Sequence, residues 1–237
     1  MASDRLYFRQ LLSGRDFAAG DEMAAQMVNF AYVIGDREAG EAVLVDPAYA
    51  VGELLELVES DGLRVVGALA THHHPDHVGG SMMGWSIEGV GELVGRGRGP
   101  VHVHREEASY VQRVTGLSAS DLVLHDSGDV VEVGAVEIGL LHTPGHTPGS
   151  QCFLVDGKLV SGDTLFLEGC GRTDFPGSDP AAMYDSLTRL ASLPPATIVY
   201  PGHRYSLPSS GTLEAVTESN YVYRPRSKEQ WLAMFGA

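Results

Sequence analysis

The hexapeptide His72-His73-His74-Pro75-Asp76-His77 places four candidate metal ligands, His72, His74, Asp76 and His77, within six positions, directly after the apolar run Leu63 to Ala70. Neutral imidazole and carboxylate are ligands that suit zinc, iron and manganese, and a loop leaving a buried strand can turn several of them towards one point. Packing gives no reason to crowd so many polar side chains into one turn. A fold for this chain must therefore end a buried strand at a cleft and bring further ligands to it.

Three later segments have the right form to supply them. His146 lies in His142-Thr143-Pro144-Gly145-His146-Thr147-Pro148-Gly149, after the strand-like Val136 to Leu141. Asp163 lies in Ser161-Gly162-Asp163-Thr164, after Lys158 to Val160, and His203 lies in Tyr200-Pro201-Gly202-His203, after Thr197 to Tyr200. Each follows a short β-rich run and sits in a loop, where a sheet edge can aim it at a shared cleft. Alone, any of these residues reads more readily as structural; together with the hexapeptide they read as the rest of a metal centre.

Periodicity predicts a hairpin from Met27 to Ile34 and Glu41 to Val45, a helix over Val51 to Ser60 and a buried strand over Arg64 to Ala70. A helix over Glu88 to Val94 then leads to a strand at Val101 to His104 and a helix from Arg105 to Val114. Strands follow at Val130 to Val133, Val136 to Leu141, Gln151 to Val155 and Lys158 to Val160, before an Asp179-capped helix to Leu190. A strand at Thr197 to Tyr200 precedes short helices near Leu213 to Ser219 and Lys228 to Phe235. No segment resembles a linker, so residues 1–237 are expected to form one domain with a short helical tail from about residue 206.

Charge narrows the partners. Sixteen basic residues against 31 acidic ones leave a net charge of -15, and the basic concentrations are small: Arg96 and Arg98, and Arg224-Pro225-Arg226. A phosphate backbone would be repelled, which argues against nucleic acid. Two divalent ions would make the cleft locally positive inside an acidic shell, favouring an anionic small molecule. Cys152 and Cys170 are too few for a disulfide framework and agree with a reducing compartment. Cys152 reads as core, and Cys170 as either a small buried hydrophobe or part of the cleft wall. The chain opens Met1-Ala2-Ser3-Asp4-Arg5 without the apolar run of a signal peptide and holds no membrane-length span, so the cytoplasm is the expected location. A homo-oligomer is left open.

The ligand pattern, together with Asp46 in Val45-Asp46-Pro47, resembles the metallo-β-lactamase superfamily over nearly the whole chain. That resemblance implies an α/β, four-layer αββα sandwich with the metal site at one edge of the packed sheets. It assigns His72, His74 and His146 to one metal, Asp76, His77 and His203 to a second, and Asp163 to a bridge between them. Asp46 becomes a support outside the ligand set, and His73 a supporting or solvent-facing residue. Two divalent ions, zinc foremost and iron or manganese also suited, would lower the pKa of a bridging water and make a hydroxide nucleophile that Asp76 orients.

Within the superfamily, Gly162-Asp163-Thr164-Leu165-Phe166, Gly169-Cys170-Gly171-Arg172-Thr173-Asp174-Phe175 and Gly202-His203-Arg204-Tyr205 are similar to the glyoxalase II and persulfide dioxygenase group. The resemblance implies a thioester hydrolase acting on a low-molecular-weight thiol conjugate, with Arg172 and Tyr205 binding the thiol portion; an Arg172–Asp174 loop pair is the structural alternative. Full-length glyoxalase II carries a larger helical domain after its last ligand, whereas only Arg204 to Ala237 follow here. The runner-up is a persulfide dioxygenase with a single Fe(II) on His72, His146 and Asp163. Hydrolysis of lactones or other esters is a third reading.

Overall fold

The structure, a computed structural model, describes residues 5–236. Its first half runs β1 (Leu6–Leu12), α1 (Glu22–Met27), β2 (Phe30–Asp36), β3 (Glu41–Val45), α2 (Val51–Ser60), β4 (Arg64–Leu69), α3 (Pro75–Val78), β5 (Gly80–Met82), β6 (Trp85–Ile87), α4 (Val90–Gly95), β7 (Val101–His104), α5 (Ala108–Thr115) and β8 (Leu122–His125). The second runs β9 (Val130–Val133), β10 (Val136–His142), β11 (Gln151–Val155), β12 (Lys158–Gly162), α6 (Pro180–Leu190), β13 (Ile198–Pro201), β14 (Gly211–Thr212), α7 (Leu213–Ser219) and α8 (Lys228–Phe235).

Two six-stranded sheets result, ordered β1-β2-β3-β4-β7-β8 and β14-β13-β12-β11-β10-β9. Strand alternation explains why they stack in four layers, because successive side chains point to opposite faces. In β2, Phe30, Tyr32 and Ile34 face the second sheet, where they meet Ile138, Leu140, Phe153 and Val160. Ala31 and Val33 face outward and share a core with Leu54 and Val58 of α2, Leu93 of α4 and Val111 of α5. On the far side, Cys152 and Leu159 pack outward against Met183, Leu187 and Leu190 of α6, Val216 of α7 and Trp231 of α8. Each sheet is thus covered on both faces, so its central strands read as near-continuous apolar runs. None of the described helices is long and apolar enough to cross a membrane.

Topology aims the loops. β10 and β12 are both antiparallel to β11, and β12 is parallel to β13, so β10, β12 and β13 run in one direction. The loops that follow them, carrying His146, Asp163 and His203, leave the same edge of the second sheet. The hexapeptide loop leaves the first sheet after β4. Gln151 N–H donates to the Thr71 carbonyl at 2.9 Å and Phe30 N–H to the Gly202 carbonyl at 2.7 Å, stitching the sheets together beside these loops.

Several boundaries differ from the sequence expectation. Met27 ends a helix and does not begin a strand: Asp21 accepts hydrogen bonds from the Met23 and Ala24 amides at 2.8 and 3.0 Å, a local cap that outweighs the β-rich composition downstream. The helix expected from Glu88 starts at Val90, because Glu88 bridges to Tyr49 and the Glu92 side chain accepts from Gly89 N–H at 2.7 Å. Arg105 lies in a turn before α5, paired with Asp126. Strands β1 and β8 at the edges of the first sheet and the β5–β6 hairpin are additional elements; edge strands carry weak alternation because one face or one end meets water.

Candidate metal centre

All seven predicted ligands meet at one point. His74 Nδ1 lies 3.1 Å from His72 Nε2 and 3.0 Å from His146 Nε2. His77 Nε2 lies 3.2 Å from His203 Nε2, while Asp76 Oδ2 lies 3.6 and 3.4 Å from those two nitrogens. Asp163 sits between the sets: its Oδ1 is 3.4 Å from His77 Nε2, and its Oδ2 is 3.3 Å from His203 Nε2 and 3.8 Å from His146 Nε2. In each of the three groups His72–His74–His146, His72–His77–Asp163 and Asp76–His77–His203, the ligand atoms lie within 4.8 Å of one another.

Ring nitrogens facing one another cannot all be satisfied by shared protons, since each pair can hold only one. Asp163 Oδ1 is buried and has no hydrogen-bond partner, a costly state for a carboxylate oxygen. Imidazole nitrogens and carboxylate oxygens converging on two adjacent points, with one oxygen left over between them, suit a pair of divalent ions.

The far sides of four of the imidazoles are tied down. His146 Nδ1–H donates to the Arg172 carbonyl and His203 Nδ1–H to the Met27 carbonyl, each at 2.8 Å. His77 Nδ1–H donates to Asp46 Oδ2 at 2.9 Å, and Asp46 also accepts from Thr71 N–H at 2.8 Å and Thr71 Oγ1–H at 2.6 Å. Thr71 Oγ1 lies 3.0 Å from His72 Nδ1, so Asp46 steadies both His77 and, through Thr71, His72. With Nδ1 occupied, Nε2 of His72, His77, His146 and His203 is the atom turned to the cluster, whereas His74 presents Nδ1. Asp46 thus lies behind the converging atoms, bonded to His77 and Thr71.

Three supporting residues carried no sequence signal. Asn29 Nδ2–H donates to Asp76 Oδ2 at 3.1 Å, and the Tyr49 hydroxyl donates to Asn29 Oδ1 at 3.0 Å. Glu107, in the surface-like run Arg105-Glu106-Glu107, is buried and accepts from residues of two ligand loops. His73 turns away from the cluster, stacking on Tyr110 of α5 at 4.8 Å.

The electrostatics match this division. Burial, reinforced by neighbouring imidazoles, pushes His72 well down and His74 to about 4, so both stay neutral and ligand-ready. Burial also disfavours charge on His77, but Asp163, Asp76 and Asp46 outweigh it and raise His77 to about 10. Asp163 resists burial in turn, held far below the usual carboxylate range by His203 and His77. The carboxylate half of the centre demands compensating positive charge, which divalent ions supply more strongly than protons.

A cavity of about 590 Å³ opens onto the cluster, walled by Met27, Met82, Phe166, Phe175 and Tyr221. Both Arg172 and Tyr205 line it. Arg172 Nε and Nη2 bond Asp174 at 2.8 and 2.6 Å, and the guanidinium lies 4.3 Å from the Phe175 ring, so the loop pair is formed at the cavity rim. Tyr205 stacks on His203 at 4.8 Å and 5°. Cys170 joins the wall, its thiol pushed up to about 12 by burial, while Cys152 is core. Glycines make the approach of these loops possible: a Cβ on Gly202 would lie 2.3 Å from Asp163 Oδ1, and one on Gly171 would meet the Asp163 carbonyl and the His146 ring.

Known proteins share this architecture. The hydroxyacylglutathione hydrolase of Xanthomonas campestris pv. campestris is 38% identical over 190 residues, spanning 80% of this chain and 67% of that protein. The human mitochondrial persulfide dioxygenase ETHE1 is 31% identical over 240 residues, spanning 96% of this chain and 86% of that protein. The crystal structure of ETHE1 from Myxococcus xanthus superposes with a TM-score of 0.78 at 31% identity, covering 97% of this chain and 90% of that one. The sequence pattern of the metallo-beta-lactamase superfamily matches residues 26–203, and the chain belongs to that superfamily.

Proposed function

We propose that this protein is a metal-dependent hydrolase of thioesters formed by a low-molecular-weight thiol. The observation that carries this reading is the position of Asp163, whose two oxygens reach towards both histidine sets at once. His72, His74 and His146 would hold one divalent ion, Asp76, His77 and His203 a second, and Asp163 both, with zinc the leading choice and iron or manganese compatible. When bound, such a pair supplies an activated water and Lewis acidity at an acyl carbon. Asp76, fixed by Asn29 at Oδ2, would orient the attacking water from its place in the second ligand set. Met27, Phe166 and Phe175 exclude bulk water from the reacting carbonyl. Arg172 and Tyr205, at the mouth, bind the thiol portion, Arg172 by exchanging part of its bond to Asp174 for a substrate carboxylate. Two unpaired cysteines support a reducing compartment, and we assign the protein to the cytoplasm.

The human dioxygenase matches this chain almost end to end, and that favours a second reading: a single Fe(II) held by His72, His146 and Asp163, with persulfide oxidation as the reaction. Elemental analysis of anaerobically purified protein, followed by thioester hydrolysis and persulfide-dependent oxygen uptake in parallel, separates the two. Two metals per chain with hydrolysis and no oxygen uptake is the expected result. One iron per chain with oxygen uptake and no hydrolysis would replace the first reading by the second.

A further inference from the structure

We propose that Glu107 is a positioning residue that clamps the two loops carrying His74 and His146, and thereby holds the first ligand set in shape. Glu107 is 1% exposed and immediately precedes α5, yet its side chain does not cap that helix. Its carboxylate bonds residues of the two loops that flank the centre instead. Oε1 accepts from His73 N–H at 2.8 Å, from His73 Nδ1–H at 2.5 Å and from Thr147 Oγ1–H at 2.9 Å; Oε2 accepts from Gly149 N–H at 2.8 Å.

His73 lies between His72 and His74, in the loop after β4 of the first sheet. Thr147 and Gly149 lie just past His146, in the loop after β10 of the second. One carboxylate therefore ties a loop of each sheet to the other. A buried carboxylate is stable only when its oxygens are fully bonded, so these four donors are held in place by the same group they satisfy. The fit is close: a Cβ on Gly149 would lie 2.6 Å from Glu107 Oε2. His73 also stacks on Tyr110, which makes α5 the strut behind the clamp. Asp76, His77 and His203 are not among the residues that hydrogen-bond to the Glu107 side chain and have their own supports in Asn29, Asp46 and the Met27 carbonyl. Loss of the clamp should therefore act on one metal position and spare the other.

This inference rests on the metal-centre part of the proposed function and not on which reaction the centre performs. The test is titration of metal-free protein with cobalt(II), followed by visible absorption and calorimetry, for wild type and Glu107→Gln. Wild type should bind two equivalents. In the variant, one step should weaken by about 10- to 100-fold, the usual effect of losing a group behind a ligand, and the other should be unchanged. Thr147→Val and His73→Phe each remove one donor, from opposite loops; each should weaken the same step, with no additional effect when combined with Glu107→Gln. They carry the test if Glu107→Gln does not fold. Two unchanged steps in folded Glu107→Gln, or equal weakening of both steps, would overturn the clamp while leaving the metal centre in place. Wild-type protein that binds no cobalt would overturn the clamp and the proposed function together.

Discussion

Replacing Gly202 with alanine tests whether Asp163 must sit where it does. The added Cβ would lie 2.3 Å from Asp163 Oδ1, and real Cβ contacts under 3.0 Å essentially never occur, so the carboxylate must retreat by at least about 0.7 Å. Ligand bonds tolerate only about 0.2 Å, and misplacing a catalytic geometry by about 1 Å costs on the order of 10²-fold in rate. Gly202 is not in the left-handed region, so its φ adds no strain, but the Cβ would also meet the Gly162 carbonyl carbon and oxygen at 3.0 and 3.1 Å, and that carbonyl, the acceptor of the Gly202 N–H, must give slightly. The expected result is fewer than two metals per chain by elemental analysis and a loss of kcat/KM of about 10²-fold on a thioester, with the metal-free protein still folded by circular dichroism. Gly211→Ala is the control, since its Cβ would meet only Leu167 and Val216 methyls at 3.7 Å. Full metal content and activity within two-fold of wild type in Gly202→Ala would refute the bridging position of Asp163.

His77→Ala should empty the second metal position and cost orders of magnitude in hydrolysis; retention of full iron and near-normal persulfide-dependent oxygen uptake would instead favour the mononuclear reading. Arg172→Ala should raise KM about five-fold for a substrate with a charged thiol and leave kcat and metal content alone, because an exposed, already paired guanidinium binds only modestly and equally in ground and transition states. Equal kcat losses on that substrate and on an uncharged ester would show that Arg172 only braces its loop through Asp174. A pH effect should come from His102, which burial and neighbouring His125 lower to about 4. Its folded form stays neutral while the unfolded chain takes up a proton near 6.5, so stability is full above that pH and falls between about 6.5 and 4. Urea melts of wild type and His102→Gln at pH 7.5 and 5 check this, the variant being expected to show the shallower decline.

The candidate ligand set was legible because its signal is local. A dense hexapeptide and three Gly/Pro loops behind β-rich runs specify residue type and strand-end position without any long-range knowledge. The buried strands were legible in the same way, since an unbroken apolar run such as Phe30 to Ile34 is a property of neighbouring residues. Tertiary structure alone decided the rest. His146, Asp163 and His203 converge because β10, β12 and β13 run in the same direction, and strand direction follows from pairing across the sheet. Arg172 is bonded to Asp174 and also lines the cavity, a pairing of loop and wall that only the folded chain displays. Glu107 and Asn29 were invisible, since an acid in Arg105-Glu106-Glu107 resembles a solvated surface until residues about 40 positions away close over it. Whether a polar group is buried depends on which distant segments surround it, and that information lies in the packing of the whole chain and not in any stretch of its sequence.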